Sequence, residues 1–337
     1  MMAAMAPAHM ADLGSIVRGA ELERAVAPTV VVNITYQCNA RCGYCRWGDG
    51  RSQERDHHRI RDVLVHPETL RNLGTRRVVL SGGEPRLNPR IGAILAHYAR
   101  LVDEVVVITN GYGLGPREAR DLLRAGATGI AVSLDSADPE ESLRTRRTPP
   151  GVHAGILRGI RRIAAELPGI ELGINATVTH PTASWGTVRG LLEFGRDAGI
   201  GTVKFQPVFD DGYAGDNDPG LLLTRADRDA LLDISGRVAG LGGRPLTNPP
   251  GFWADVAAVC SGERLPGGAC GLGGRQAIST EGMLGVCYWI KSEYGAVPAP
   301  AGAERVRRTR EGFDSARRAC KVDFHCFCTQ GIDHTWR

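Results

Sequence analysis

Cys38-Asn39-Ala40-Arg41-Cys42-Gly43-Tyr44-Cys45 comes three residues after the β-branched run Val30-Val31-Val32-Asn33-Ile34. The thiols stand at a Cys-x3-Cys-x2-Cys spacing. A 4Fe–4S cluster ordinarily takes four cysteine thiolates. Three thiols within eight residues hold three irons and leave the fourth without a protein ligand. An open metal position separates a catalytic site from a structural one. The spacing therefore predicts a cluster that binds and acts on something, carried on the loop that ends a first strand. A zinc knuckle would need a fourth tetrahedral ligand, and no Cys or His lies between Cys45 and His57.

Outward from that loop, β-branched runs alternate with helical stretches. Strands are predicted over 30–35, 77–81, 104–109, 129–134, 171–178 and 202–208. Helices are predicted over 57–73, 89–100, 116–125, 152–166, 184–198 and 226–240. Six strands, each followed by a helix, read as parallel βα units. Right-handed crossovers wind these into an α/β fold, a partial (β/α)6 barrel, whose functional groups gather at the C-terminal ends of the strands. Residues 1–27 read as a loose tail, 28–242 as the barrel and 243–337 as an extension. A strand–turn–strand is expected across 276–288, with its turn at Glu281-Gly282.

Other strand ends carry polar residues. Leu80-Ser81-Gly82-Gly83-Glu84-Pro85 closes the second strand, and its glycines let backbone approach a ligand. Asn110 closes the third. Ser133 and Asp135 close the fourth, with Arg144 shortly after. Asn175, Lys204 and Gln206 on the last two strands share a phase that points to the same mouth.

With its strand, the cysteine motif resembles the radical S-adenosylmethionine (SAM) superfamily. Tyr44 fits that family's aromatic before the last cysteine. The likeness implies a SAM-binding 4Fe–4S cluster at Cys38, Cys42 and Cys45. It also implies cofactor contacts from Tyr44, Gly82, Gly83, Glu84, Asn110, Ser133, Asp135 and Arg144. The Gly-Gly-Glu segment would meet the SAM ammonium through backbone carbonyls or Glu84. Ser133 and Asp135 would face the ribose. Arg144 would pair with the carboxylate as a planar fork, or stand as a solvated helix residue. The implied chemistry is reductive cleavage of SAM to a 5′-deoxyadenosyl radical, which abstracts hydrogen from an unactivated C–H.

The other six cysteines lie more than 200 residues further on, at 260, 270, 287, 320, 326 and 328. Cys270, Gly282 and Cys287 resemble the opening element of SPASM and twitch extensions, which carry auxiliary 4Fe–4S clusters. Six thiols cannot fully ligate two clusters of four thiolates each. One auxiliary cluster is expected at Cys270, Cys287, Cys326 and Cys328, with Cys320 able to replace one of them. Cys260 and Cys320 then remain as candidate catalytic hydrogen-atom donors, as an epimerase would need.

The chain has 337 residues and a net charge of +4, which is below what a nucleic-acid binder carries. It has no apolar stretch of membrane-spanning length and no export signal. Nine cysteines without such a signal suit metal ligands rather than disulfides, and a cytoplasmic location. A flavodoxin or ferredoxin is the expected electron donor. The expected substrate is a small polar intermediate of a secondary metabolite, such as an antibiotic: a sugar, aminoglycoside or nucleoside. Epimerisation, dehydrogenation and decarboxylation stay open. A leader-binding module is not expected before Val30 or after Arg337. The rivals are a peptide maturase served by a separate leader-binding protein, and a non-catalytic Fe–S or zinc protein.

Overall fold

The computed structural model describes residues 28–45, 64–208, 218–241, 246, 248, 251–263, 276–280, 283–285 and 297–298. Six strands follow in chain order: β1 (Thr29–Asn33), β2 (Arg77–Ser81), β3 (Glu104–Thr109), β4 (Gly129–Ser133), β5 (Glu171–Val178) and β6 (Thr202–Pro207). Each pairs in parallel with the next. All six lie where the sequence predicts them, within one or two residues at each end.

Eight helices are described: α1 (Pro67–Leu73), α2 (Ile91–Tyr98), α3 (Pro116–Arg124), α4 (Pro139–Arg146), α5 (Pro150–Glu166), α6 (Trp185–Asp197), α7 (Arg228–Val238) and α8 (Phe252–Cys260). Two were not expected from the sequence, α4 and α8. The start of α4 is set by Asp138, whose carboxylate accepts from the amides of Glu140 and Glu141 at 2.8 and 3.0 Å, with Pro139 as first helical residue. The start of the helix predicted over 57–73 lies outside the described residues; its last turns are α1.

Alternation along the strands divides the core in two. Val30, Val32, Val78, Leu80, Val105, Val107, Ile130, Val132 and Phe205 face the helices and join one large buried cluster. Val31, Val79, Val106 and Ala131, with Ile108 against them, form a small apolar patch on the opposite, concave face. From β1 to β4 the sheet is largely buried on both sides, so those strands read as near-continuous apolar runs; β5 and β6 carry less-buried polar residues at Asn175, Lys204 and Gln206.

Both edges of the six-stranded arc are covered. At β6, Val203 bridges to Leu246. The Asn248 side chain accepts from the Phe205 amide at 2.8 Å and donates to its carbonyl at 2.9 Å, so one amide side chain takes the place of a neighbouring strand. At β1, a seventh strand, β7 (Gln276–Thr280), pairs in parallel over the full length of Thr29–Asn33. Strand β8 (Met283–Gly285) pairs back antiparallel on β7, and β9 (Val297–Pro298) on β8. The expected hairpin is therefore present, and it continues the barrel sheet into a nine-stranded one.

Candidate active site

The cysteine loop is docked on three sides. Beneath it, the Gly83 amide donates to the Thr35 carbonyl at 2.8 Å and the Glu84 amide to that of Gln37 at 2.7 Å. These bonds bring two backbones together with no room for a side chain. A Cβ on Gly83 would lie 2.1 Å from the Gln37 oxygen, and one on Gly82 2.3 Å from that of Thr35. Gly82 also has φ +119°, a region that L side chains rarely enter. The Gly-Gly pair is thus required by loop packing, whatever ligand it also meets.

Glu84 is 2% exposed. Its carboxylate accepts from the Thr109 hydroxyl at 2.8 Å, the Asn110 amide at 2.7 Å and the Arg86 amide at 3.2 Å. It clamps the ends of β2 and β3 together. Burial pushes its pKa up, against the pull of these donors. Asn110 extends the clamp to the cysteine loop: its side-chain amide donates to the Asn39 side chain at 2.6 Å and interacts with the Cys38 sulfur.

On the far side, the Gly43 amide donates to the Thr145 carbonyl at 2.9 Å, at the end of α4. The Gly43 carbonyl accepts from the Asp218 amide at 2.9 Å. A Cβ on Gly43 would lie 2.7 Å from Leu221 and 3.6 Å from the Arg147 guanidinium. Arg147 is the one non-glycine with positive φ, 54°, among the described residues; it caps α4.

Tyr44 and Asp135 meet. The Tyr44 hydroxyl donates to Asp135 at 2.6 Å, and the Thr177 amide donates to the other carboxylate oxygen at 2.9 Å. Arg146 stands 3.6 Å from Asp135, both almost wholly buried. Arg144 is exposed on α4. The buried face of that helix is Ser142, Thr145 and Arg146, so the guanidinium in the cluster belongs to Arg146, two residues on. Burial pushes the Asp135 carboxyl up despite Arg146 and Tyr44. Burial opposes the charge on Arg146, yet Cys42, Tyr44 and Asp135 hold its pKa above the ordinary value. Burial pushes the thiols of Cys38 and Cys42 up, with Arg146 opposing it at Cys42.

Ser133 ends β4 on the concave side. It pairs directly with Asn175, and Asn175 with Lys204. Gln206, two residues on, shares that side and stands opposite Thr177. Cys260 is elsewhere. It ends α8, whose Trp253 packs on Phe205 with ring centroids 5.1 Å apart, on the helix side of β6. Burial, with Asp227 close by, pushes its thiol up to about 12. That placement puts Cys260 across the sheet from the concave face. Cys270, Cys287, Cys320, Cys326 and Cys328 lie outside the described residues.

The donor set suits an open-iron cluster. Soft thiolates select iron–sulfur chemistry, and three of them sit on a loop fixed from below and from the side. Among the described residues no three His, Cys, Asp or Glu side chains gather around a single metal ion. The Arg146 Nε is buried with no hydrogen-bond partner, which suits a site whose occupant brings negative charge.

Residues 32–195, just under half of the chain, match the Radical SAM superfamily. A probable GTP 3′,8-cyclase of Pyrobaculum aerophilum is 26% identical over 276 residues, 78% of this chain and 84% of that protein. A GTP 3′,8-cyclase of Rhodococcus opacus is 35% identical over 192 residues, 53% of this chain but 51% of the relative, about half its length. In fold the chain is similar to Streptococcus suis SuiB bound to S-adenosylmethionine, with TM-score 0.65 and 14% identity over 91% of this chain and 74% of SuiB. SuiB bound to its precursor peptide SuiA gives TM-score 0.64 and 12% identity, over 95% of this chain and 74% of that one. Among the described residues no helix is long and apolar enough to cross a membrane.

Proposed function

We propose that this radical SAM enzyme removes a hydrogen atom from a small polar substrate of the sugar, aminoglycoside or nucleoside kind, held on the concave face below the cysteine loop. The observation that carries this reading is the row Ser133, Asn175 and Lys204, three polar residues in direct register on adjacent strands. Hydroxyl, amide and ammonium there can each meet a sugar hydroxyl, and Lys204 can also meet an anionic group. The names of the two cyclases, which specify GTP, point the same way.

When bound, the cluster and SAM supply a 5′-deoxyadenosyl radical. The chain's own residues do the rest. Cys38, Cys42 and Cys45 ligate, and Asn110 and Glu84 hold the loop and strand ends in register. The Gly82-Gly83 backbone and the Tyr44–Asp135 pair line the place where SAM fits, and Ser133 stands where that place adjoins the substrate row. The apolar patch of Val31, Val79, Val106 and Ala131 keeps water from the floor. A twitch-type auxiliary cluster at Cys270, Cys287, Cys326 and Cys328, with Cys320 as the alternative ligand, and a flavodoxin or ferredoxin as electron donor complete the reading. With Cys260 on the helix side of β6, Cys320 is the remaining thiol candidate for a hydrogen donor.

The test is anaerobic: reconstituted protein, SAM and reductant with panels of nucleotides, aminoglycosides, sugars and peptides. Deoxyadenosine should rise above the substrate-free rate with a small polar compound, and deuterium from that compound should appear in it. Lys204→Met should raise KM for an anionic substrate more than it lowers kcat. A second reading, a precursor-peptide maturase, is favoured by the fold shared with SuiB, whose complex holds a precursor peptide. Stimulation by peptides alone would replace the first reading with the second.

A further inference from the structure

Arg146 is a buried cation whose ion-pair partner, Asp135, stands at some distance. It is 3% exposed, its Nε has no hydrogen-bond partner, and its ion-pair contact to Asp135 is 3.6 Å, longer than a hydrogen bond. Asp135 shares its charge with two closer donors, the Tyr44 hydroxyl at 2.6 Å and the Thr177 amide at 2.9 Å. A buried charge that is incompletely paired is costly, so a second negative group is expected beside it. The backbone identifies that group. The Gly43 amide bonds the Thr145 carbonyl at 2.9 Å, which sets residues 42–44 alongside 145–147, and Cys42, which interacts electrostatically with Arg146, becomes an anion on ligating iron.

We propose that Arg146 is the resident counter-charge of the cysteine loop and raises the reduction potential of the cluster at Cys38, Cys42 and Cys45, with Asp135 opposing it. The proposal rests on the open-iron reading of those three thiols. Reduction adds one electron, delivered by a low-potential donor of the flavodoxin or ferredoxin class, and no proton. The reduced site therefore carries one more negative charge, and a fixed cation in a dry environment favours it. Asp135, fixed nearby with the opposite sign, disfavours it. The balance between the two sets how strong a reductant the enzyme needs.

The test is an EPR-monitored redox titration of the full-length reconstituted protein without substrate. The site signal is identified by its change when SAM is added. Arg146→Gln should lower the reduction equilibrium constant about tenfold, which is ~59 mV for one electron. Arg146→Lys should stay within a few-fold of wild type, and Asp135→Asn should move the potential upward. Opposite signs from the two neutralised residues are a signature that general loosening of the loop does not produce. An unchanged or raised potential in Arg146→Gln, at wild-type iron content, overturns the proposal. If Arg146→Gln cannot hold iron, Asp135→Asn decides: a rise supports the proposal and no rise overturns it. Failure of the open-iron reading would show separately, as a signal that SAM leaves unaltered in every variant.

Discussion

Gly83 and Gln37 approach so closely that a Cβ on the glycine would lie 2.1 Å from the Gln37 carbonyl oxygen. The contact is backbone to backbone, so no flexible side chain can give way. Two strand ends are laced together there, and the cysteine loop begins one residue later.

Gly83→Ala should therefore displace the cysteine loop rather than be absorbed. Overpacking costs about 1–3 kcal/mol where side chains can adjust, and here they cannot. The variant should lose most of its SAM-binding cluster on reconstitution and melt at a lower temperature. Wild-type iron content and melting temperature in this variant would show that the close approach is dispensable.

On the proposed reading, changing Cys38, Cys42 and Cys45 together to Ala should abolish deoxyadenosine production and leave the iron of the proposed auxiliary cluster in place. At four irons per cluster, wild type should hold about eight and the triple variant about four. Iron analysis with Mössbauer spectra measures both. About twelve in wild type would mean two auxiliary clusters, and about four would mean none.

Glu171 provides a pH test away from the mouth. Burial, with Glu104 adding to it and Arg77 opposing, raises its pKa from 4.5 to about 7. A carboxyl with a raised folded value binds its proton more tightly when folded. Its contribution is best at low pH and declines as pH rises from about 4.5 through about 7. Glu171→Gln should match wild type near pH 5 and be the more stable protein at pH 8. The gain should not exceed ~1 kcal/mol, because solvent screens a partly exposed group. Melting curves across pH 5–8 that run parallel for the two proteins would contradict this.

Asn248→Ala should expose the β6 edge at Phe205. Two hydrogen bonds to one residue's backbone are lost, at roughly 1 kcal/mol each less what water restores. Asn248→Asp keeps the acceptor for the Phe205 amide but sets a carboxylate oxygen against the Phe205 carbonyl. It should be worse than alanine at neutral pH. Equal melting temperatures for the two variants would mean that the side chain is not acting as a strand substitute.

Strands β1 to β4 were readable because they are largely buried on both faces, which leaves apolar, β-branched runs in the sequence; β5 and β6 instead alternate with polar residues. The cysteine loop was readable because three thiols at fixed spacing follow directly on the first strand. Helix α4 was not, because its buried face is Ser142, Thr145 and Arg146 and shows no apolar periodicity. The Asp138-Pro139-Glu140-Glu141 start was its available signal. That same face explains the displaced arginine: i, i+3, i+4 spacing from Ser142 selects Arg146, while Arg144 falls off the stripe. Helix α8 was hidden behind a Gly- and Pro-rich approach. Asn248 carried no signal at all, since a lone Asn beside Pro249 reads as an ordinary turn. The clamp at Glu84 was half visible, as a residue at a strand end but not as the acceptor of three donors.

The pairing of β7 with β1 has a consequence for how the protein comes to exist. Thr29–Asn33 meets Gln276–Thr280, roughly 250 residues later along the chain. A ribosome releases the first of these strands long before the second, and pairings of such separation form slowly. Until β7 arrives, β1 is an edge with open backbone groups, prone to pair with other chains. The loop proposed to ligate iron hangs from that edge. Synthesis order therefore favours metal loading as a late event, after the C-terminal hairpin has closed the sheet, and a nascent chain stalled before residue 276 should be the aggregation-prone species.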